Sequence, residues 1–326
     1  MSKPLFEEVL PSLYRVEVPL PNNPLKATNS YIIKGDQNLI IDTGMNRKEC
    51  MDALSAALTE LQIDLHRTDF FITHLHADHS GLVGELVTGE SSVYFNQPDA
   101  EVIQNKHLWQ ELYFVAIKHG FTADELKSAL DKHPGNRYSP KGPVNLTIIE
   151  EGDLITAGDY RLHCVETPGH TRGHMCLYER NQKLFISGDH ILGDITPNIS
   201  SWDDAGNPLR DYTQSLDKVS AMEIDLVLPG HRSLVTDCKK RIDELKEHHR
   251  QRLEEVAEIL KQSGGSTAYQ IASRMHWDII ADDWGAFPIM QKWFATGEAI
   301  AHLKYLEDEG LAERKQFGEQ LIFSPR

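Results

Sequence analysis

Residues 73–81 read THLHADHSG, which sets His74, His76, Asp78 and His79 within six positions behind the apolar run DFFIT at 69–73. A run of that length and content suits a short buried strand. Strand side chains alternate between faces, so His74 and His76 are expected to point together at the strand's C-terminal end, with Asp78 and His79 continuing into a loop. Neutral imidazole and carboxylate suit Zn, Mn or Fe, and this density of both is typical of a metal site.

Three further segments supply the same chemistry: TPGHTRGH at 167–174, SGD at 187–189 and LPGH at 228–231. Each follows an expected strand (160–166, 183–187, 225–228) and carries one candidate ligand, His170, Asp189 or His231. The early turn DTG at 42–44 follows the apolar run NLIID. In this order the five segments resemble the metallo-β-lactamase superfamily, over roughly residues 10–235. The resemblance implies an α+β fold, a four-layer αββα sandwich with metals at the edge between two sheets. It implies that His74, His76 and His170 hold a first metal, that Asp78, His79 and His231 hold a second, and that Asp189 bridges them.

Seven donors exceed the four that a tetrahedral zinc takes. Shared between two divalent ions about 3.5–4 Å apart, zinc first and Mn or Fe also suited, they leave room for a bridging hydroxide at neutral pH. That hydroxide would attack a carbonyl or phosphoryl centre. Asp78 is the candidate catalytic residue, orienting the hydroxide or passing a proton to the leaving group.

Around the site, Asp42 reads as a loop support, His174 as a hydrogen-bonding neighbour of the ligands, and His190 as a further neighbour. Arg172 and Arg232 flank ligand segments, where a substrate anion would sit, though surface ion pairing is the commoner use of such residues. Residues 191–200 (ILGDITPNIS) are expected to line the pocket. The four cysteines have no CxxC spacing and read as free thiols, with Cys164 and Cys176 buried in strands.

The remaining elements follow from spacing. Strands are expected at 12–18, 30–34, 38–42, 144–149 and 174–179, with helices at 45–61, 99–117, 122–132 and 211–222 and loop from Pro134 to Pro143. Past 238 the character changes: a charged helix at 239–262 ends at Gly264–Gly265, followed by helices at 267–275 and 288–306 and strands at 311–313 and 321–324. Helix, helix, helix, hairpin is the order of a winged-helix module. Two domains are therefore expected, 1–238 catalytic and 239–326 winged-helix-like. That pairing resembles the β-lactamase-like protein 2 group, which implies hydrolases and single-strand endoribonucleases.

The 326 residues carry 33 Lys+Arg against 49 Asp+Glu, a net charge of −16. That balance disfavours RNA or DNA as a tightly held partner and favours a small-molecule substrate. From residue 240 onward there are 12 Lys+Arg and 15 Asp+Glu, and the third tail helix holds only Lys292 and Lys304. Trp277, Trp284, Trp293, Phe287 and Phe294 suit packing on the catalytic domain, over the pocket mouth, in the tail's own core or on a second subunit of a homodimer. No apolar window spans a membrane and the N-terminal residues lack a signal-peptide layout, so a cytoplasmic protein is expected.

Zinc β-lactamases of the commonest type resemble this chain but carry cysteine where Asp189 stands, which argues against antibiotic hydrolysis. Only 42 positions separate Asp189 from His231, too few for the domain inserted there in the β-CASP nucleic-acid-processing branch. The leading expectation is a dinuclear zinc hydrolase of a small ester, thioester or lactone. The alternatives are an endoribonuclease with the same metals and a mononuclear-iron persulfide dioxygenase, the latter disfavoured because all seven ligand positions are filled.

Overall fold

A computed structural model describes residues 4–142, 144–279 and 281–326. In chain order, the first half contains β1 (Glu7–Leu10), β2 (Leu13–Pro19), β3 (Ala27–Ile33), β4 (Asn38–Ile41), α1 (Lys48–Glu60), β5 (Thr68–Phe71), α2 (Ala77–Ser80), α3 (Val83–Leu86) and β6 (Val93–Asn96). Four helices follow, α4 (Gln97–Gln104), α5 (Leu108–Lys118), α6 (Ala123–Lys132) and α7 (Pro134–Tyr138), and then β7 (Leu146–Ile149). The second half holds β8 (Leu154–Ala157), β9 (Tyr160–Glu166), β10 (Met175–Glu179), β11 (Leu184–Gly188), α8 (Pro208–Ser220) and β12 (Leu226–Pro229). The chain closes with α9 (Cys238–Ser263), α10 (Ala268–Ala272), α11 (Ile289–Asp308), β13 (Ala312–Phe317) and β14 (Gln320–Pro325).

One sheet runs in order from β1 to β7 and the other in the order β12-β11-β10-β9-β8. Their inner strands, such as β3 to β5 and β10 to β12, are buried on both faces, which is why the molecule has four layers. In β5, Phe71 points inward and Phe70 outward; in β11, Leu184 and Ile186 point inward and Phe185 outward. The inward set, including Tyr31, Ile41, Leu162, Leu177 and Leu228, fills the space between the sheets. The outward set of the first sheet packs with Cys50, Leu54 and Leu58 of α1. That of the second packs with Leu209, Tyr212 and Leu216 of α8 and with Ile242 and Leu245 of α9. Helix, sheet, sheet, helix is the expected sandwich. All four cysteines are buried and free, and no helix among the described residues is long and apolar enough to cross a membrane.

Three expectations need correction. The helix expected over 99–117 is two, α4 and α5, because Asn105 turns the chain and its side chain accepts from the His107 amide at 2.9 Å. The loop expected from Pro134 begins with α7, started by that proline and by the His133 ring accepting from the Gly135 amide. Strands β1, β6 and β8 are additions to the expected set; each is only four residues long, too short for a clear alternation.

The tail is bound to the rest by a mixed apolar and aromatic seam. The first turns of α9 belong to the outer layer over the second sheet, and its later turns (Val256, Ile259, Leu260) pack with α10, α11 and Phe323. Trp293 lies with Phe121, Leu126 and Ala129, which precede residue 238, and stacks on Trp202, with ring centroids 4.0 Å apart. Trp277 and Trp284 pack in the tail's own cluster. Of the packing expected for the aromatics, both the catalytic face and the tail core are found.

Two histidines sit in this seam and a third lies beside it, between α9 and α11. His119 lies against Phe323, His133 against Trp293 and Phe294, and His302 against His249. Burial holds each down to about 4. In an unfolded chain they titrate near 6.5. A depressed pKa in the folded state means that stability is full above about 6.5 and drains away as pH falls toward 4. The melting temperature should therefore be level near neutrality and drop steadily below about pH 6.5. A profile level down to pH 4 would contradict this account of the seam.

Candidate metal centre

All seven expected residues meet at one corner, where the C-terminal ends of β5, β11 and β12 lie side by side. β5 stops at Phe71, so His74 and His76 do not alternate along a strand as expected. They lie in the turn beyond it, and Asp78 and His79 follow on the single turn of α2. His170 comes from the β9–β10 connection. Asp189 directly follows β11 and His231 lies two residues beyond β12; these strands are parallel with Gly188 opposite Pro229, so the register itself brings the two together. Gly230 permits the approach: a Cβ there would stand 2.5 Å from Asp189 Oδ1 and 2.8 Å from the His79 ring.

The donors form three overlapping sets, His74–His76–His170, His74–His79–Asp189 and Asp78–His79–His231, each with its ligand atoms within 4.8 Å of one another. Three rings have their outer nitrogen fixed. His170 Nδ1 donates to the Asn198 carbonyl (2.8 Å), His231 Nδ1 to the Ala27 carbonyl (2.7 Å) and His79 Nδ1 to Asp42 Oδ2 (2.7 Å). Those acceptors place the proton on Nδ1 and turn Nε2 inward as a ligand atom. The inward nitrogens then crowd: His74 Nε2 and His170 Nε2 each lie 3.0 Å from His76 Nδ1, and His79 Nε2 lies 3.3 Å from His231 Nε2. Asp189 reaches both sides, with Oδ2 3.6 Å from His170 and 3.5 Å from His231, and Oδ1 3.5 Å from His79.

Electrostatics divide the corner. Burial and the repulsion of neighbouring rings hold His74 well below its ordinary value, and burial with His170 takes His76 to about 3. Burial would lower His231 too, but Asp189 and Asp78 override it and push it up to about 10; Asp42 and Asp189 hold His79 well above its ordinary value. One side is thus a cluster of closely spaced neutral imidazoles, and the other a set of carboxylates that demands positive charge. Asp189 Oδ1 is buried with no hydrogen-bond partner. This donor set fits divalent metal ions, which would satisfy both sides at once.

The supports follow the sequence expectation in part. Asp42 does brace the loops, accepting from the Thr73 amide (2.9 Å) and hydroxyl (2.9 Å), and it also orients His79. His174 accepts from the Asp189 amide (3.0 Å) and is held by Thr167. His190 is buried against Tyr212, whose hydroxyl bonds the His190 carbonyl. Arg172 is exposed, and Arg232 donates to the Pro24 carbonyl at 2.5 Å.

Asp99 is a support that sequence reasoning misses. Buried at the start of α4, it accepts from the Leu75 amide (2.9 Å), the Thr171 hydroxyl (2.8 Å) and the Gly173 amide (2.7 Å), so one carboxylate ties the His74–His76 turn to the His170 turn. In sequence it is one acidic residue in a first helical turn, a common placement with no signal of its tertiary partners. Asp99→Ala strands three polar groups. It should cost about 1–3 kcal/mol of stability in denaturant unfolding and weaken metal binding roughly 10–100-fold in chelator competition. Unchanged metal affinity in the folded variant would show that the tether does not govern the ligands.

Comparison with known proteins agrees with this corner. Residues 23–231 match the metallo-beta-lactamase superfamily. The probable metallo-hydrolase YqjP of Bacillus subtilis (strain 168) is 28% identical over 294 residues, 86% of this chain and 87% of that protein. The beta-lactamase-like protein 2 homolog of Caenorhabditis elegans is 25% identical over 304 residues, 91% and 86% of the two chains. An atrochrysone carboxyl ACP thioesterase of Emericella nidulans (strain FGSC A4) is 27% identical over 237 residues, 72% of this chain and 60% of that one. The crystal structure of the metallo-beta-lactamase family protein TTHA1429 from Thermus thermophilus superposes with a TM-score of 0.83 at 26% identity, covering 98% of this chain and 100% of that one. With the family matched across most of its length and the donor set in place, the chain belongs to the metallo-beta-lactamase superfamily of metal-dependent hydrolases.

Proposed function

We propose that the protein is a dinuclear zinc hydrolase of small esters, lactones and above all thioesters. The observation that carries this reading is the pair of donor triads, His74–His76–His170 and Asp78–His79–His231, with Asp189 between them. A single iron would leave half of that set unused. Thioesters come first among the substrates because a relative matching 72% of this chain is a carboxyl ACP thioesterase.

Two divalent cations held there supply Lewis acidity, lowering the pKa of a water toward neutrality and polarising the scissile carbonyl. The protein's own part is orientation and proton handling. Asp42, Ala27 and Asn198 fix three imidazoles before any substrate arrives. Asp78 has one oxygen 3.4 Å from His231 Nε2 and keeps 13% of its side chain exposed, more than Asp189 at 9%, so it is the carboxylate best placed to carry a proton toward a leaving group.

The endoribonuclease alternative would draw support from a tail that offers a basic helix to nucleic acid. Thirteen of the twenty residues of α11 are buried. Its two lysines are engaged internally, Lys292 with Glu125 at 3.2 Å and Lys304 with Ser201 and Asp203. That packing supports a small substrate.

A panel of acyl thioesters, aryl esters, lactones and single-stranded RNA, run on metal-loaded protein across a salt series, tests the reading. Thioester turnover should be highest and nearly indifferent to salt, and Asp78→Asn should lower kcat roughly 10²-fold or more. Cleavage of RNA alone, collapsing as salt rises, would overturn the substrate class. Full turnover by an Asp78→Asn variant with its metal retained would remove the proton role.

A further inference from the structure

The segment that follows Asp189 has no regular structure from 196 to 202, yet it supplies the acceptor for a ligand ring, the Asn198 carbonyl that fixes His170 Nδ1. A stretch without a ladder needs outside anchors, and here they come from the C-terminal residues. Arg241 of α9 donates to the carbonyls of Leu192 (2.7 Å) and Ile195 (2.9 Å). The Gly297 carbonyl of α11 accepts from the Ser201 amide at 3.0 Å, and Lys304 donates to the Ser201 hydroxyl (3.2 Å) and the Asp203 carbonyl (3.0 Å). Trp202 stacks on Trp293.

At the centre of this clamp stands Glu298. Its Oε2 accepts from Asn198 Nδ2 at 3.2 Å, and its Oε1 from Arg252 Nε of α9 at 3.1 Å. Arg252 is fixed in turn by the His276 carbonyl (2.9 Å), by Glu255 and by the Trp277 ring beneath it. The preceding residue makes the approach possible. A Cβ on Gly297 would stand 2.7 Å from Trp202 Nε1 and 3.0 Å from Ser200 Cβ. Glycine inside a helix costs about 0.5–1 kcal/mol relative to alanine, so its place in the middle of α11 is explained by the loop lying against it.

We propose that Glu298 is a positioning residue for His170. Through Asn198 it holds the carbonyl that orients the imidazole, which makes the C-terminal helices a working part of the metal centre rather than an appended module. The inference rests on the reading of His170 as a metal ligand. The plainer use of Glu298 is an ion pair that joins α9 to α11, and the two uses differ in what they do to the metals.

The test uses the full chain carrying Glu298→Ala, Glu298→Gln or Asn198→Ala, with His170→Ala in parallel. Each is stripped and reloaded with cobalt, and read by visible absorption, by chelator competition and by the NMR signal of the His170 Nδ1 proton. Asn198→Ala keeps the backbone carbonyl and removes the tether together with the bond that Asn198 Oδ1 accepts from the Ser200 hydroxyl, so it carries the test if Glu298→Ala does not fold, with Ser200→Ala as its control. Glu298→Ala and Asn198→Ala should weaken one metal affinity about 10-fold or more, leave the other unchanged and shift the Nδ1 proton signal. Glu298→Gln, which keeps an oxygen for Asn198, should fall between them and the parent. Parental affinities and spectrum in the folded variants would overturn the proposal, as would equal weakening of both sites. If His170→Ala itself leaves both affinities intact, the ligand reading fails instead.

Discussion

Imidazole nitrogens crowd to 3.0 Å of one another on one side of this corner, and on the other the neighbouring carboxylates Asp78 and Asp189 repel unless positive charge stands between them. Five imidazoles and two carboxylates gather in one buried corner of this protein, and the architecture around them is organised to hold that unfavourable crowd together. The strand register sets Asp189 beside His231. The absence of a side chain on Gly230 lets them close. The corner is therefore preorganised for metal by the fold rather than assembled by the metal alone.

The supports come from all over the chain. His231 rests on a carbonyl of β3, His79 on the carboxylate after β4, and His170 on the loop after Asp189. Asp99 joins two ligand turns from the start of α4. Distributing the supports over separate elements means that His79, His170 and His231 cannot tilt without a hydrogen bond being lost in a different part of the sandwich. It also gives the tail a role: the helices beyond residue 238 complete the wall from which one ligand is oriented.

The fold and the ligands were legible in the sequence because each is encoded locally. The four-layer sandwich is what the resemblance carried by local segments implied, and runs such as NLII and LFIS, apolar on both strand faces, agree with it. The histidines and aspartates sit in short segments at strand ends, where one residue range decides their place. The supports were not legible, because a hydrogen bond between Asp99 and Gly173 spans 74 positions and one between Asn198 and Glu298 spans 100. Nothing in α4 or α11 marks those carboxylates as different from surface ones. Gly297 was the nearest thing to a signal, a helix-interior glycine whose reason appears only with the loop packed against it. The break between α4 and α5 escaped for a related reason: both halves have helical composition, and only the Asn105 turn divides them.

We propose that this corner holds two divalent metal ions of one kind, with Asp189 between them. The most direct test is the metal content of the purified full chain, measured by elemental mass spectrometry after expression in zinc-supplemented medium and normalised to protein. Two zinc ions per chain, both removed by chelation and both restored on reconstitution, is the result the account predicts. One iron per chain, or no metal retained even after reconstitution, would contradict it.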